Sequence, residues 1–255
     1  MAAPKKIGYK VEPKIYTAII LDFETGGLDS KDCAITQIAM QAARLDSWEL
    51  LESYQNYLLP YNLQDHSKRK VLKTRQQLEI QIPMKYEAKA LEYTGITMDM
   101  LNSRGVELSV VAKEVLEFIE RNTLSKGAQC KPILIGQNIT FDIGFLQQLI
   151  TYAGMTKEFA KALSGTTDFY GNFQPHYVDT IDLGRFAFAH RSDITSYKLE
   201  LLAERLGIEL DDAHDAQADV SATLGIAAVC SSRLRQEGGT YTATKAEKTR
   251  THFKI

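Results

Sequence analysis

Asp22 and Glu24 are separated by one residue, at the end of the apolar run Ala18-Ile19-Ile20-Leu21. On a β-strand, residues i and i+2 point to the same face. Two carboxylates are thereby set side by side where a buried strand runs out. Their repulsion is relieved when a cation sits between them, and a divalent ion suits two hard oxygen donors. Two later segments extend the pattern. In Gly136-Gln137-Asn138-Ile139-Thr140-Phe141-Asp142-Ile143-Gly144-Phe145-Leu146, a short apolar strand gives way to a helix. Asn138 is expected to cap the turn, and Asp142 to sit in the first helical turn, where the helix dipole favours an anion. Phe141 and Phe145, four apart, should pack against each other. In His214-Asp215-Ala216-Gln217-Ala218-Asp219, a histidine precedes a helix and an acid follows five residues later. Each segment alone is common, as a solvated acid pair, a helix-start acid or a structural histidine. Four carboxylates and a histidine arriving in three separate segments describe metal-assisted phosphodiester hydrolysis.

The rest of the chain must bring these segments together. Residues 15–23, Ala34 to Leu45 and Trp48 to Leu59 read as strands joined by short polar links, an antiparallel meander stopped by Pro60. Residues 61–82 are polar and basic without a clear period, and read as an insertion. Val106 to Arg121 is amphipathic at helical spacing. Lys131 to Gly136 is a short strand, Asp142 to Ala153 a helix, and Tyr177 to Asp182 another strand edge. Tyr197 to Leu206 is a helix closed by Gly207, and 215–235 is a long terminal helix. Strands first, then helices alternating with strands, predict a mixed α/β sheet flanked by helices. The expected organisation is a flexible leader at 1–14, one domain over 15–235 and a disordered tail at 236–255.

The chain has 255 residues, and its formal net charge of −2 hides an uneven distribution. Residues 1–14, 65–75 and 233–255 carry +3, +4 and +4, leaving −13 for the remainder. An acidic body with basic appendages suits a carboxylate–metal site acting on a polyanion. Cys33, Cys130 and Cys230 are odd in number and form no CxxC, which reads as ordinary thiols in a reducing compartment. Neither a signal peptide nor a transmembrane-length run is legible, so a cytoplasmic location and no membrane partner are expected.

The three segments resemble the exonuclease motifs of the DEDDh family, which includes the proofreading epsilon subunit of bacterial DNA polymerase III, RNase T and oligoribonuclease. The resemblance runs from about Tyr16 to Val229. It is carried by Asp22-x-Glu24, Asn138-x-x-Phe141-Asp142 and His214-x-Ala216-x-x-Asp219, with support from Thr25-Gly26-Gly27-Leu28, Ile35-Thr36-Gln37-Ile38-Ala39, Tyr93-Thr94-Gly95-Ile96-Thr97 and Val178-Asp179-Thr180. It implies an RNase H-like fold and two Mg²⁺ or Mn²⁺ ions clamping the scissile phosphate. Asp22 would bridge both ions. Glu24 and Asp219 would help hold the one that activates water, and Asp142 the one on the leaving-group side. His214 would be the general base, and nucleoside 5′-monophosphates would leave from a 3′ end. The resemblance also implies substrate contacts at Phe23, Thr25, Leu28, Thr94, Asn138 and Phe141, with Asp179 a structural acid. Where the epsilon subunit has a histidine before its Gly-Ile pair, this chain has Thr94, closer to RNase T and phage-type exonucleases. The resulting expectation is a 3′→5′ exonuclease on single-stranded DNA in proofreading or repair, with a polymerase or other replication protein as a partner. The alternatives are an exoribonuclease trimming RNA 3′ ends and a non-catalytic module that binds nucleic acid or a polymerase.

Overall fold

The computed structural model describes residues 13–64, 82–210 and 215–236. The leader before residue 13, the basic stretch 65–81, His214 and the tail after 236 lie outside the described residues.

A five-stranded sheet forms the centre. Strands β1 (Thr17–Thr25), β2 (Ile35–Arg44) and β3 (Leu50–Tyr57) make the expected antiparallel meander. Helices α1 (Ala88–Thr94), α2 (Met98–Arg104) and α3 (Leu108–Arg121) follow. Strand β4 (Ile133–Gly136) then returns beside β1 in parallel and leads into helix α4 (Thr140–Tyr152). Next come helix α5 (Thr156–Ala162), a small hairpin of β5 (Gly165–Thr167) and β6 (Phe173–Pro175), and strand β7 (Tyr177–Asp179), parallel to β4. Helices α6 (Thr180–Phe188), α7 (Leu199–Leu206) and α8 (Ala216–Gln236) complete the described fold. The strand order β3-β2-β1-β4-β7 gives a mixed sheet with helices on both faces. This is the expected class.

Strand β1 is central and covered on both sides, so nearly every residue in it is buried rather than every second one. Its odd face, Ile19, Leu21 and Phe23, joins the large core with Phe118, Phe145 and Leu149 from α3 and α4. Its even face, Ala18 and Ile20, packs on Ala216, Val220 and Ala227 of α8. The small residues on α8 let the helix lie close to the sheet. By strand alternation, Asp22 and Glu24 share the face that α8 covers. Helices α6 and α7 reach the domain through α8, in a second core of Phe188, Leu202 and Ile226.

Three expectations need correction. Asn138 does not cap α4 with its side chain. It adopts the left-handed region at φ 52°, its carbonyl accepts from the Phe141 amide, and Ile139 stands at the cap. The reversal from β4 is too tight for an extended capping residue: a Cβ on Gly136 would lie 2.9 Å from the Ile139 side chain. Tyr177 to Asp182 is a three-residue strand followed at once by α6, because the Asp179 carboxylate accepts from the Ile181 amide and starts the helix. The segment from Tyr197 turns helical only at Leu199.

Candidate active site

The carboxylates converge where β1 and β4 end. The β1–β4 pairing stops at Ile20–Ile135, because the chain then turns out of the sheet into α4. The Phe23 amide therefore finds no strand partner there. It donates instead to Asp142 Oδ1 at 3.0 Å, fixing the α4 acid against β1. On the other side of the chain, Asp219 lies in the first turn of α8, the helix that covers the even face of β1. Carboxylate oxygens of Asp22, Glu24 and Asp219 all lie within 4.8 Å of one another.

Such crowding has a strong electrostatic signature. Burial, then the charges of Asp219 and Asp215, push the Asp22 carboxyl up from its ordinary 3.8 to about 7. Burial, then Asp22, Asp219 and Asp215, push Glu24 from 4.5 to about 8. Burial and Asp22 also hold Asp142 well above the usual carboxylate range, against the lowering effect of the Phe23 amide. Among the described residues, no Lys, Arg or His pairs with Asp22, Glu24 or Asp142. Asp22, Glu24 and Asp142 thus gather anionic oxygens in a partly dehydrated place, with no cation from the described residues paired to them. Hard oxygen donors in this arrangement fit a hard divalent ion.

The junction ahead of α8 is anchored to the sheet. Gln37 on β2 and Gln55 on β3 both donate through their side-chain amides to Asp215 Oδ1, at 3.2 and 3.1 Å. The Asp219 amide donates to the Asp215 carbonyl at 3.0 Å. Asp215 is the residue immediately after His214, so the sheet holds the chain one residue from the candidate base. On the β1 side, Gly26 lets the segment at Lys85 approach. A Cβ there would lie 2.6 Å from the Lys85 carbonyl, and the Glu87 amide donates to Gly26 O at 2.7 Å.

The acids floor an open cleft of about 720 Å³. Phe23, Asn138 and Phe141 line it as expected of substrate contacts, and Phe141 leans on buried Phe145 with ring centroids 5.0 Å apart. Thr25, Leu28 and Thr94 lie outside that lining. Thr25 donates its hydroxyl to the Gly27 carbonyl at 2.8 Å, and Leu28 is 84% exposed on the turn after β1. The Thr94 hydroxyl is used at the end of α1, between the Leu91 carbonyl and the Ile96 amide. Asp179 is structural, accepting from the Asn138 and Ile181 amides.

Sequence reasoning missed the far wall of the cleft. Gln137, Arg185, Tyr197 and Lys198 all face it, and Tyr93, from the segment that resembles RNase T, lines the cleft too. Gln137 ties the wall together, donating to the Tyr197 carbonyl at 2.7 Å and accepting from Thr180 Oγ1 at 2.5 Å. Arg185 lies over the Tyr197 ring at 5.7 Å. The available signal was the pair Tyr197-Lys198, an aromatic and a cation just ahead of a helix start in an otherwise acidic body.

Comparison with known proteins agrees with this geometry. The model of the RNase_T family, described as an exonuclease, matches residues 68–227, a span that holds Asp142, His214 and Asp219. The chain belongs to the RNase_T exonuclease family, within the DEDD-type 3′→5′ exonucleases. It is 24% identical over 219 residues to a PolC-type DNA polymerase III of Clostridium perfringens, covering 86% of this chain and 11% of that protein. It is 26% identical over 208 residues to the PolC-type enzyme of Thermotoga maritima, covering 81% and 11%. Among solved structures, E. coli exonuclease I in complex with a dT13 oligonucleotide superposes with a TM-score of 0.61 at 21% identity, over 87% of this chain and 42% of that one. An ExoI/SSB-Ct complex gives 0.59 at 21%, with the same coverage. These structural likenesses establish the fold. The chain spans about a tenth of the PolC-type relatives and about two fifths of exonuclease I.

Proposed function

We propose that this chain is a metal-dependent exonuclease that removes nucleotides from the 3′ end of single-stranded DNA. The observation that carries the reading is the meeting of Asp22, Glu24 and Asp219 within 4.8 Å, with Asp142 tied to the intervening Phe23 amide. The polymerase and exonuclease names among the relatives favour DNA over RNA, and the PolC context favours a replication polymerase as partner.

In this reading Asp22, Glu24 and Asp219 would hold one Mg²⁺ or Mn²⁺ ion, and Asp142 with Asp22 would hold a second. Bound there, the ions would neutralise charge on the scissile phosphate and lower the pKa of the attacking water. The protein's own residues do the rest. The Phe23–Asp142 hydrogen bond keeps two elements in register, so the carboxylates are fixed before substrate arrives. Phe23, Asn138 and Phe141 offer a surface for the terminal nucleotide, and Arg185 and Lys198 offset phosphate charge at the far wall. His214 would take the proton of the attacking water, a role imidazole suits as a residue type. The Gln37–Asp215–Gln55 contacts hold the residue that follows His214 in the chain.

Product analysis tests the proposal. Oligonucleotide digested with Mn²⁺ should yield nucleoside 5′-monophosphates, with the 3′-terminal nucleotide released first. Nucleoside 3′-monophosphates, or release from the 5′ end, would overturn it.

A further inference from the structure

Helices α6, α7 and α8 each contribute residues to two places. Near their N-terminal ends lie Ile181, Leu199 and Glu200, and Asp219, all in the carboxylate cleft, which Arg185 in the last turn of α6 also lines. Towards their C-terminal ends lie Phe188, Arg205 and Leu206, and Val229 and Arg233, which line a separate groove of about 590 Å³. The connection from α6 to α7 also touches both, with Arg191 in the groove and Tyr197 in the cleft.

The groove concentrates positive charge. Arg191 and Arg233 both lie against the Phe188 ring, at 5.7 and 5.1 Å from its centroid, and Arg233 also contacts His190 Nε2. Arg205 is exposed on the rim and makes no ion pair among the described residues. Asp193 at this end is engaged by Arg191 through both carboxylate oxygens. Three guanidinium groups round one small groove repel one another, and most of this protein's body is acidic. A structural account is available, since cations suit helix C-termini. Arg191 donates to Asp193, and Arg233 contacts His190.

We propose that this groove binds the phosphodiester backbone of the same single strand, several nucleotides upstream of the 3′ end held in the cleft. The proposal rests on the nuclease reading above and adds a second contact point to it. Charge complementarity and continuity along three helices argue for it. Val229 to Arg233 lie ten to fourteen residues beyond Asp219 on α8, or about 15–21 Å at 1.5 Å per residue. A trinucleotide in the cleft stops short of the groove, and a longer strand reaches it. Guanidinium groups suit phosphate oxygens because their planar donor fork matches them. Phe188 is 2% exposed, so its ring orients arginines rather than stacking on a base.

Binding in EDTA tests this without catalysis. Fluorescence anisotropy of 5′-labelled trinucleotide and dodecanucleotide DNA is compared for the wild type, Arg205→Glu and Arg205→Lys. Arg205 is exposed, and a thermal melt checks that each variant is folded. The expected result is dodecanucleotide binding weakened about tenfold by Arg205→Glu, with trinucleotide binding unchanged and Arg205→Lys largely restored. Loss of one phosphate contact should also lower the slope of log K against log salt by about 0.7. Equal dodecanucleotide binding and salt slope in wild type and Arg205→Glu would overturn the groove while leaving the nuclease reading intact. Absence of dodecanucleotide binding by the wild type would likewise overturn the groove, and cleavage with Mg²⁺ judges the nuclease reading separately.

Discussion

Replacing a proposed metal ligand should make the metal-free protein more stable, and the gain should grow with pH. Asp22 is held at about 7 in the fold against 3.8 when unfolded, mainly by burial and then by Asp219 and Asp215. A raised carboxyl binds its proton more tightly in the native state, so its favourable contribution is complete below about pH 4 and is lost as pH rises through about 7. Linkage gives a ceiling of about 1.5 kcal/mol of destabilisation at pH 5 and about 4 kcal/mol at pH 8. Asp22 is only partly buried from solvent, so screening lowers both figures, by as much as half. Asp22→Asn removes the charge at nearly constant shape and also relieves Glu24. In EDTA, its melting temperature should exceed the wild type's, and the gap should widen by about 3–8 °C between pH 5 and pH 8. Mn²⁺ at a thousand times its Kd should close or reverse the gap, since it then adds about 4.1 kcal/mol to the protein that binds it. Differential scanning calorimetry at the two pH values, with and without Mn²⁺, reads all four conditions. A variant less stable than wild type in EDTA at pH 8, or a gap independent of pH, would refute the reasoning. Asp22 would then be making favourable contacts that do not depend on an ion.

Other consequences are more local. His214→Ala should lower turnover about 10²–10⁴-fold in single-turnover cleavage, with the loss smaller at alkaline pH, where hydroxide is more abundant. Gln37→Leu combined with Gln55→Leu frees Asp215 from the sheet and should cost about 10–100-fold in kcat with KM little changed, as expected of residues that position rather than touch substrate. Phe145→Ala empties a fully buried site beneath Phe141 and should cost about 3–5 kcal/mol in urea unfolding. Gly26→Val should displace the Lys85–Glu87 segment, because backbone blocks the space its Cβ needs, and should be read as a loss of stability by thermal melting.

The meander and the long terminal helix were legible because their patterns are strong. β1 is an uninterrupted apolar run ending in Asp22-Phe23-Glu24, and α8 carries small residues at the spacing that meets a sheet. Helix α6 was not legible. Its start depends on the Asp179 side chain accepting the Ile181 amide, and its first residues, Thr180 to Asp182, read as part of the strand edge Tyr177 to Asp182. Short helices α1, α2 and α5 were missed for a similar reason: seven residues span too few turns to establish a period. The acids could be found because their chemistry restricts residue type. The cations across the cleft could not, because Arg185 and Lys198 reach it through tertiary packing, and an isolated arginine or lysine is ordinary on any surface. Asn138 shows the limit of local rules. Its residue type suits a cap, but the tight turn out of β4 puts its backbone in the left-handed region and uses its carbonyl instead.

The central claim is that the acids of β1, α4 and α8 form one metal-dependent site acting at a 3′ end. The most direct measurement uses two 5′-labelled oligonucleotides of the same sequence, one DNA and one RNA, incubated with wild type or Asp219→Asn in Mg²⁺ or in EDTA. The prediction is a ladder shortening from the 3′ end on DNA with wild type and Mg²⁺, and none with EDTA or with Asp219→Asn. A ladder confined to RNA would contradict the assignment to DNA. Degradation that persists in EDTA or in Asp219→Asn, or its absence from folded wild type with Mg²⁺, would contradict the site itself.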